Sequence, residues 1–490
     1  MAGWAGAEIR GEGGGVEVTG ISLSSQRVRP GDVYAALPGS RAHGIDYAGA
    51  AVGAGAVAVL TDPDGAAATS GLGVPLLVVE RPRAVLGSLA ARIYGDPAAS
   101  MRMIGVTGTQ GKTTTTRLLE GGLEQAGLPA AVIGTVGTRV AGEDVRTTLT
   151  TPEAPDLHGL FAMMRERGVE TCAMEVSSHA LVMGRVDGVV FDVAVFLNLG
   201  RDHLDFHRDV EDYFAAKASL FTPGRARLGL VNVDDAHGRR LLTETTVPVR
   251  TFSAAGAAAD WRAEEVAPRA DGSDFVVVGP GGTRITARCP LPGDFNVANT
   301  LAAVAAAGEA GLDAAAVAAG IAAGGGVPGR LERVDAGQDF EVVVDYAHKP
   351  DAVEAAIRTL RPLTTGRVIV VLGAGGDRDP GKRPIMAGIA ARLADVLIVT
   401  DDNPRTEDPA SIRSEMLSGV PSGTGSGTGS GEVLEIGDRR AAIREALRLA
   451  RTGDIVLVAG KGHETGQEVA GVVHPFDDRE VVKEEIACLR

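Results

Sequence analysis

Met103-Ile104-Gly105-Val106-Thr107-Gly108-Thr109-Gln110-Gly111-Lys112-Thr113-Thr114 is the stretch on which the reading of this chain turns. It begins as an apolar run, passes through a glycine-containing loop and opens a stretch of helical character that stops at Gly127. Strand, loop and helix in that order form a cradle for phosphate. The glycines let backbone N–H groups approach the oxygens, and the new helix offers unpaired N–H groups and the positive end of its dipole. Lys112 is placed to reach the terminal phosphates, and the Thr113 hydroxyl to ligate Mg2+. The full Gly-x-x-x-x-Gly-Lys-Ser/Thr spacing needs Gly at position 106, where Val106 stands, so the loop is a shortened variant. Taken alone it implies a bound nucleotide and no particular reaction.

The same grammar recurs downstream. The apolar run 172–176 contains Glu175 and leads into Ser177-Ser178-His179, and 193–197 leads into Arg201-Asp202-His203. Further on, 342–344 precedes Asp345-Tyr346-Ala347-His348, and 368–372 precedes Gly375-Gly376-Asp377-Arg378. The last two are 396–399 before Asp402-Asn403-Pro404-Arg405, and 455–458 before Gly460-Lys461-Gly462-His463-Glu464. Each polar cluster is expected to lead into a helix. Apolar runs without alternation suit parallel strands covered on both faces by helices. In such sheets ligands bind beyond the carboxyl ends of the strands. The expected fold class is therefore α/β, with the two later blocks facing a shared cleft. The blocks fall at 1–97, with short β-like pieces at 32–37 and 57–61; at 98–327, closed by Gly324-Gly325-Gly326-Val327-Pro328; and at 328–490. The Gly/Ser/Thr tract at 421–431 reads as a flexible surface insertion.

Bulk properties bound the rest. A length of 490 residues suits about three domains, and 44% hydrophobic residues are enough for packed cores. A net charge of −15 argues against a nucleic-acid-binding surface. Cys172, Cys289 and Cys488 are too scattered for a disulfide framework or a cysteine-ligated zinc. The first residues lack a basic start followed by an apolar run, and no stretch reaches the ~18 apolar residues of a membrane span. A cytoplasmic protein is expected, and the sequence sets no oligomeric state.

The loop Thr107–Thr114, with Glu175-Val176-Ser177-Ser178-His179 and Asn198-Leu199-Gly200-Arg201-Asp202-His203-Leu204-Asp205, resembles the Mur ligases of peptidoglycan synthesis. The resemblance spans almost the whole chain. It continues through Lys217, Gly293-Asp294-Phe295-Asn296-Val297-Ala298-Asn299, Pro328-Gly329-Arg330-Leu331-Glu332, Asp345-Tyr346-Ala347-His348 and residues 373–383. Asp402-Asn403-Pro404-Arg405 followed by Glu407 resembles the ligases that add the third stem-peptide residue, in the form selecting meso-diaminopimelate over lysine. The resemblance implies three domains. These are a mixed α/β N-terminal domain for the UDP end of the acceptor, a central P-loop ATPase-like parallel-sheet domain, and a C-terminal Rossmann-like domain for the amino acid. It implies that the carboxylate of UDP-N-acetylmuramoyl-L-alanyl-D-glutamate is phosphorylated by ATP, with Mg2+, and then taken by the amine.

The resemblance also assigns residues. ATP phosphates fall to Gly108, Thr109, Gln110, Gly111, Lys112, Thr113 and Thr114, and the adenosine end to Asn296, Asn299, Arg330 and Asp345, with His348 nearby. Lys112, Glu175, His203 and Lys217 are the implied catalytic group. The implied Mg2+ ligands are Thr113, Glu175, His203 and Lys217 as a carbamate. The acceptor falls to Thr150, Thr151, Ser177 and Arg185, with its uridine end on Leu23, Ser25, Ser40, Arg41 and Ala42. Ser24, Gln26 and Met183 depart from the family pattern there. Diaminopimelate falls to Arg378, Asp402, Asn403, Pro404, Arg405, Gly460 and Glu464.

Plainer readings stand beside these. Lys217 is then a solvated surface lysine, Asn296 and Asn299 are helix caps, and Arg405 pairs with Glu407 or Asp408. Folylpolyglutamate synthase and MurF share the loop and the carboxylate chemistry, but not residues 402–407 with 460–464. A non-catalytic paralogue would be expected to have lost Lys112, Glu175, His203 or Lys217, and all four are present.

Overall fold

The computed structural model describes residues 1–11, 15–39, 42–269, 271–421 and 431–489. Ser40, Arg41 and most of the tract at 421–431 lie outside the described residues. The chain forms two compact units, Met1–Arg262 with Leu301–Gly320, and Ala263–Thr300 with Ile321–Arg490. The boundary runs through the strand Trp261–Arg269 and the helix Asp294–Glu309.

The first unit holds a five-stranded sheet in the order Glu8–Arg10, Leu76–Val78, Ala58–Thr61, Asp32–Ala35, Gly20–Ser22. The last four strands run parallel and Glu8–Arg10 closes the edge antiparallel. Val33, Ala35 and Leu60 pack with Leu86 and Leu89 of the helix Pro82–Ile93, while Tyr34 and Val59 pack with Ala48 and Ala51 on the other face.

The same unit also builds a larger sheet around Arg102–Thr107. This strand lies between Thr171–Glu175 and Phe191–Phe196 and runs parallel to both. Ala130–Gly134 flanks one side, Ala226–Asn232 and Val249–Ser253 the other, all parallel. The register sets Val106 beside Glu175 and Thr107 beside Phe196, so three strands end level at the phosphate loop. Met103, Cys172, Met174 and Phe196 pack with Leu157, Phe161 and Met164 of the helix Ala154–Glu166. Burial pushes the Cys172 thiol up to about 12, so it is an inert core residue.

The second unit carries a six-stranded sheet in the order Glu332–Arg333, Glu341–Asp345, Ile455–Ala459, Val368–Ala374, Val396–Asp401, Glu432–Glu435. Only the first pairing is antiparallel. Val370, Leu372, Leu397, Val399 and Leu457 face the helices Pro350–Leu360 and Lys382–Leu393. Ile369, Val371, Ile398, Val456 and Val458 face Arg439–Leu449 and Asp478–Leu489. Both faces of the four central strands are thus apolar, which is why those runs read as continuous. The unit also has an antiparallel hairpin, Gly272–Val278 with Arg284–Cys289.

The expected α/β class holds, with one local difference. After Ile455–Ala459 the chain does not enter a helix directly. It first makes the hairpin Gly466–Val469 and Val472–Pro475, whose second strand is exposed, and only then the helix Asp478–Leu489. The two-residue turn Ala470-Gly471 has φ of 51° and 78°, the left-handed geometry that matches strand twist in tight hairpins. Among the described residues, no helix is long and apolar enough to cross a membrane.

Candidate active site

The helix after the phosphate loop spans Lys112–Gln125, with Gly111 at φ 86° as its N-cap, a conformation that favours glycine. The loop is tied down by Asn198, whose Oδ1 accepts from Thr109 N at 3.1 Å and Gln110 N at 2.9 Å. Thr109 Oγ1 accepts from Gly200 N at 2.9 Å and lies 3.1 Å from the Tyr213 hydroxyl. Lys112 Nζ donates to Gly108 O at 2.6 Å and Thr109 O at 3.3 Å, which folds its charge back over the loop.

Glu175 ends its strand almost wholly buried. Its Oε1 accepts from Thr113 Oγ1 and from Thr135 N, both at 2.8 Å, and Oε2 from Thr135 Oγ1 at 3.1 Å. Thr135 Oγ1 also lies 3.1 Å from Thr150 Oγ1. The structure therefore brings Thr113, Glu175 and Thr150 together, through a residue the sequence reading did not name. Hydroxyl and carboxylate oxygens at the mouth of a phosphate loop suit Mg2+, which takes few protein ligands and leaves the remainder to water and phosphate. Among the described residues, no three of His, Cys, Asp or Glu gather as a ready-made metal cluster.

His203 sits at φ 54° with Nε2 3.1 Å from Asp202 Oδ2. His179 stands edge-on to it at 4.8 Å and stacks on Phe206 at 3.9 Å; burial, with His207 nearby, lowers the His179 pKa. His207 is buried, with Nε2 2.9 Å from Ser178 Oγ and Nδ1 3.4 Å from Asp212 Oδ2. Lys217 is not a solvated surface lysine. It is 1% exposed on the helix Val210–Ala218, its Nζ donates to Gly108 O at 3.0 Å, and it lies 4.5 Å over the Tyr213 ring. Helical spacing revealed the helix but not that this face turns toward the loop.

Thr151 Oγ1 donates to Glu175 O at 2.8 Å and accepts from Ser177 N at 3.3 Å. Ser177 Oγ caps the helix Ser178–Val182 through Ala180 N at 3.1 Å. Arg185 donates to Thr151 O at 3.3 Å and to Glu153 at 2.8 Å, and Arg83 reaches the same carboxylate at 3.1 Å. Thr150, Thr151, Ser177 and Arg185 thus converge beside Glu175, and Met183 ends the short helix. Leu23 packs half-buried on the small sheet, Ser25 is half-buried, and exposed Ala42 accepts from Gly39 N at 3.2 Å.

In the second unit, Asn296 and Asn299 are buried within the helix Asp294–Glu309, not at its cap. Asn296 Nδ2 donates to Pro292 O at 2.7 Å, and Asn299 Nδ2 to Asn296 Oδ1 at 3.2 Å. Asp345 accepts from Leu331 N at 2.7 Å and Ala347 N at 2.8 Å; burial raises its pKa, opposed by Arg330 and these bonds. The Arg330 guanidinium lies 4.8 Å over the Tyr346 ring, which also meets His348 and His463. His348 is held neutral by burial, with Lys349 and Lys382 close by.

Arg405, at φ 53°, does not pair with Glu407 or Asp408. Its Nη1 donates to Gly376 O at 2.6 Å and its Nε lies 3.4 Å from Glu468 Oε2, in the hairpin that sequence reading missed. Glu407 instead takes both terminal nitrogens of buried Arg383 at 2.9 Å, and Asp408 caps the helix Pro409–Leu417. Asn403 Nδ2 donates to Glu464 Oε2 at 2.8 Å, and Asp402 lies buried beneath. Arg378 is exposed, and no hydrogen bond or ion pair joins it to the described residues of this group.

Family models for the Mur ligase catalytic domain, the Mur ligase middle domain and the Mur ligase glutamate ligase domain match residues 17–94, 106–307 and 329–462. This chain belongs to the Mur ligase family. Among Mur ligases it is 58% identical to the UDP-N-acetylmuramoyl-L-alanyl-D-glutamate–2,6-diaminopimelate ligase of Streptomyces coelicolor, over 96% of this chain and 93% of the relative. The ligase of that name from Corynebacterium glutamicum is 50% identical over 95% and 91%. A solved structure of a ligase of that name superposes with a TM-score of 0.67 at 35% identity, covering 96% of this chain and 95% of the other.

Proposed function

We infer that this Mur ligase is an ATP-dependent enzyme joining 2,6-diaminopimelate to the D-glutamyl carboxylate of UDP-N-acetylmuramoyl-L-alanyl-D-glutamate. Its product is the UDP-N-acetylmuramoyl tripeptide of peptidoglycan synthesis. The observation that carries the reading is the Thr113–Glu175 contact at the phosphate loop, in a chain that also holds Arg405 and Glu464 at strand ends. The D-glutamyl carboxylate attacks the γ-phosphorus of ATP. The bond to the β-phosphate oxygen breaks, ADP leaves with that electron pair, and an acyl phosphate forms. The amine of diaminopimelate then attacks the acyl carbon, gives a tetrahedral intermediate, loses a proton and expels phosphate.

Charge is the obstacle, because a carboxylate must approach a polyanion. The Lys112 ammonium and the N–H groups of residues 108–114 meet the phosphates. Thr113 and Glu175 would hold Mg2+, which when bound neutralises phosphate oxygens. We assign His203 and Lys217 to a second Mg2+, with Lys217 as a carbamate, since only that form turns a buried cation into an oxygen ligand. Asn296, Asn299, Arg330 and Asp345 are assigned to the adenosine end. Thr150, Thr151, Ser177 and Arg185 are assigned to the muramoyl peptide, and Leu23, Ser25 and Ala42, with Ser40 and Arg41, to its uridine end. Arg405, with Arg378, is assigned to the distal carboxylate that lysine lacks. Glu464 and the Gly460 carbonyl are assigned to an ammonium, with Asp402, Asn403 and Pro404 shaping the turn. We propose the meso isomer as substrate and the cytoplasm, where ATP is available, as the place of reaction.

The test is phosphate release by the purified enzyme with ATP, Mg2+ and the UDP-dipeptide, offering meso-diaminopimelate, LL-diaminopimelate or lysine. Release should need dipeptide and amine together, with kcat/KM for meso-diaminopimelate at least about a hundredfold above that for lysine. Equal use of lysine overturns the Arg405 assignment, and release without dipeptide overturns the acyl transfer.

A further inference from the structure

Lys461 follows the strand Ile455–Ala459, and its side chain is 0% exposed. A buried ammonium costs several kcal/mol unless its charge and its N–H groups are met, so what meets it reveals its purpose. Nζ donates to Asn403 Oδ1 at 3.0 Å and to Glu464 Oε2 at 3.1 Å, and lies 3.5 Å from Asp402 Oδ1. Asn403 is thereby fixed at both ends of its amide: Nδ2 donates to the same Glu464 oxygen, and Oδ1 also accepts from Glu468 N at 2.9 Å. Glu468 is the carboxylate beside Arg405. One ammonium thus ties the turn after Val396–Asp401 to the loop after Ile455–Ala459, two strands separated in the sheet by Val368–Ala374.

The surroundings are cleared for this arrangement. A Cβ at Gly460 would lie 2.9 Å from Asp402 Oδ2, and one at Gly373 would lie 3.0 Å from Asp402 Cβ. The charges of Lys461, Asp402 and Glu464 sum to one negative charge. That is the complement of a single incoming ammonium. Glu464, about a third exposed, is the member of the group that solvent and ligand can reach.

We propose that Lys461 is the positioning residue for the amine substrate: it orients Asn403 and Glu464 and leaves their pocket with one uncompensated negative charge. This rests on the assignment of Glu464 to the substrate ammonium. Lys461 itself touches no substrate and acts through its two partners.

The experiment uses the full-length enzyme and a cycle of Lys461→Met, Glu464→Gln and the double variant, with KM measured separately for diaminopimelate, ATP and the UDP-dipeptide. Lys461→Met should raise the diaminopimelate KM at least about thirtyfold while the other two KM values move less than about threefold. The double variant should be no worse than Glu464→Gln alone, because the lysine acts through that carboxylate. An unchanged diaminopimelate KM in Glu464→Gln overturns the assignment of Glu464. A strong effect there with none in Lys461→Met overturns the role of Lys461 alone, as do three KM values rising in step. Lys461→Gln, shorter and still a donor, carries the same expectation if the methionine variant does not fold. Failure of both to fold overturns the proposal by making the lysine a folding element.

Discussion

A methyl group at position 134 would stand 2.4 Å from Glu175 Oε1 and 3.1 Å from its carboxyl carbon. That oxygen already accepts from Thr113 and Thr135, so the carboxylate cannot yield without breaking bonds to the phosphate-loop helix. Gly134 is therefore a requirement of the site, even though its backbone is ordinary strand. Gly134→Ala should cost about 1–3 kcal/mol of stability through overpacking. It should also raise the Mg2+ concentration for half-maximal activity about 10–100-fold, as expected when a group orienting a metal ligand is disturbed. A Mg2+ titration of wild type and variant decides it; superimposable curves would remove Gly134 from the site. Sequence could not have shown this, because the crowding arises between neighbouring strands whose paired residues are 41 positions apart, and it leaves no local pattern.

At the scale of elements, the helix Ala154–Glu166 is joined to the turn before Phe191–Phe196 through His158. Its ring is fully buried, Nε2 lies 3.0 Å from Asp187 O, and Nδ1 has no hydrogen-bond partner among the described residues. The neutral ring with its proton on Nε2 fits both facts, and burial lowers its pKa. The folded state keeps the ring neutral, while the unfolded chain takes up a proton below pH ~6.5. Protons therefore favour unfolding, and the stability that depends on this ring is lost as pH falls below that value. His158→Gln should be about 1–2 kcal/mol less stable than wild type at pH 7.5. The gap should narrow at pH 5.5, where only wild type still carries the burden of a buried imidazole. Denaturant curves at the two pH values check this, and an equal gap would mean that the ring does not resist protonation.

The strand ends themselves were legible, because runs apolar on both faces need no alternation to be recognised. The hairpin after Glu464 was not, since its first strand is only half-buried, its second is exposed, and neither carries an apolar period. Missing it misplaced the partner of Arg405. The burial of Lys217 and Lys461 was equally hidden, because only tertiary contact distinguishes a buried lysine from the usual solvated one.

For the molecule as a whole, the two groups of site residues belong to different units. The phosphate loop, Glu175 and Lys217 lie in the first, where Thr113 bonds Glu175 and Lys217 bonds Gly108; Arg405, Asn403 and Glu464 lie in the second, where Asn403 bonds Glu464 and Arg405 bonds Gly376. Altering one group should then change the parameters of one substrate. Arg405 offers the cleanest test. Its backbone is held at N by Glu468 O and at O by Ala470 N, so the loop does not depend on the side chain alone. Arg405→Lys keeps the charge but loses the planar fork that pairs with a carboxylate. A lost charge-assisted bond of about 1.5–3 kcal/mol corresponds to a diaminopimelate KM about 10–100-fold higher. The KM for ATP should stay within about twofold, and the preference over lysine should shrink by the same factor as the diaminopimelate KM grows. That last equality is the sharpest part. If Arg405 recognises the carboxylate lysine lacks, only diaminopimelate loses binding energy, and lysine turnover is untouched. A fall in both amines together would instead make Arg405 a support for the hairpin.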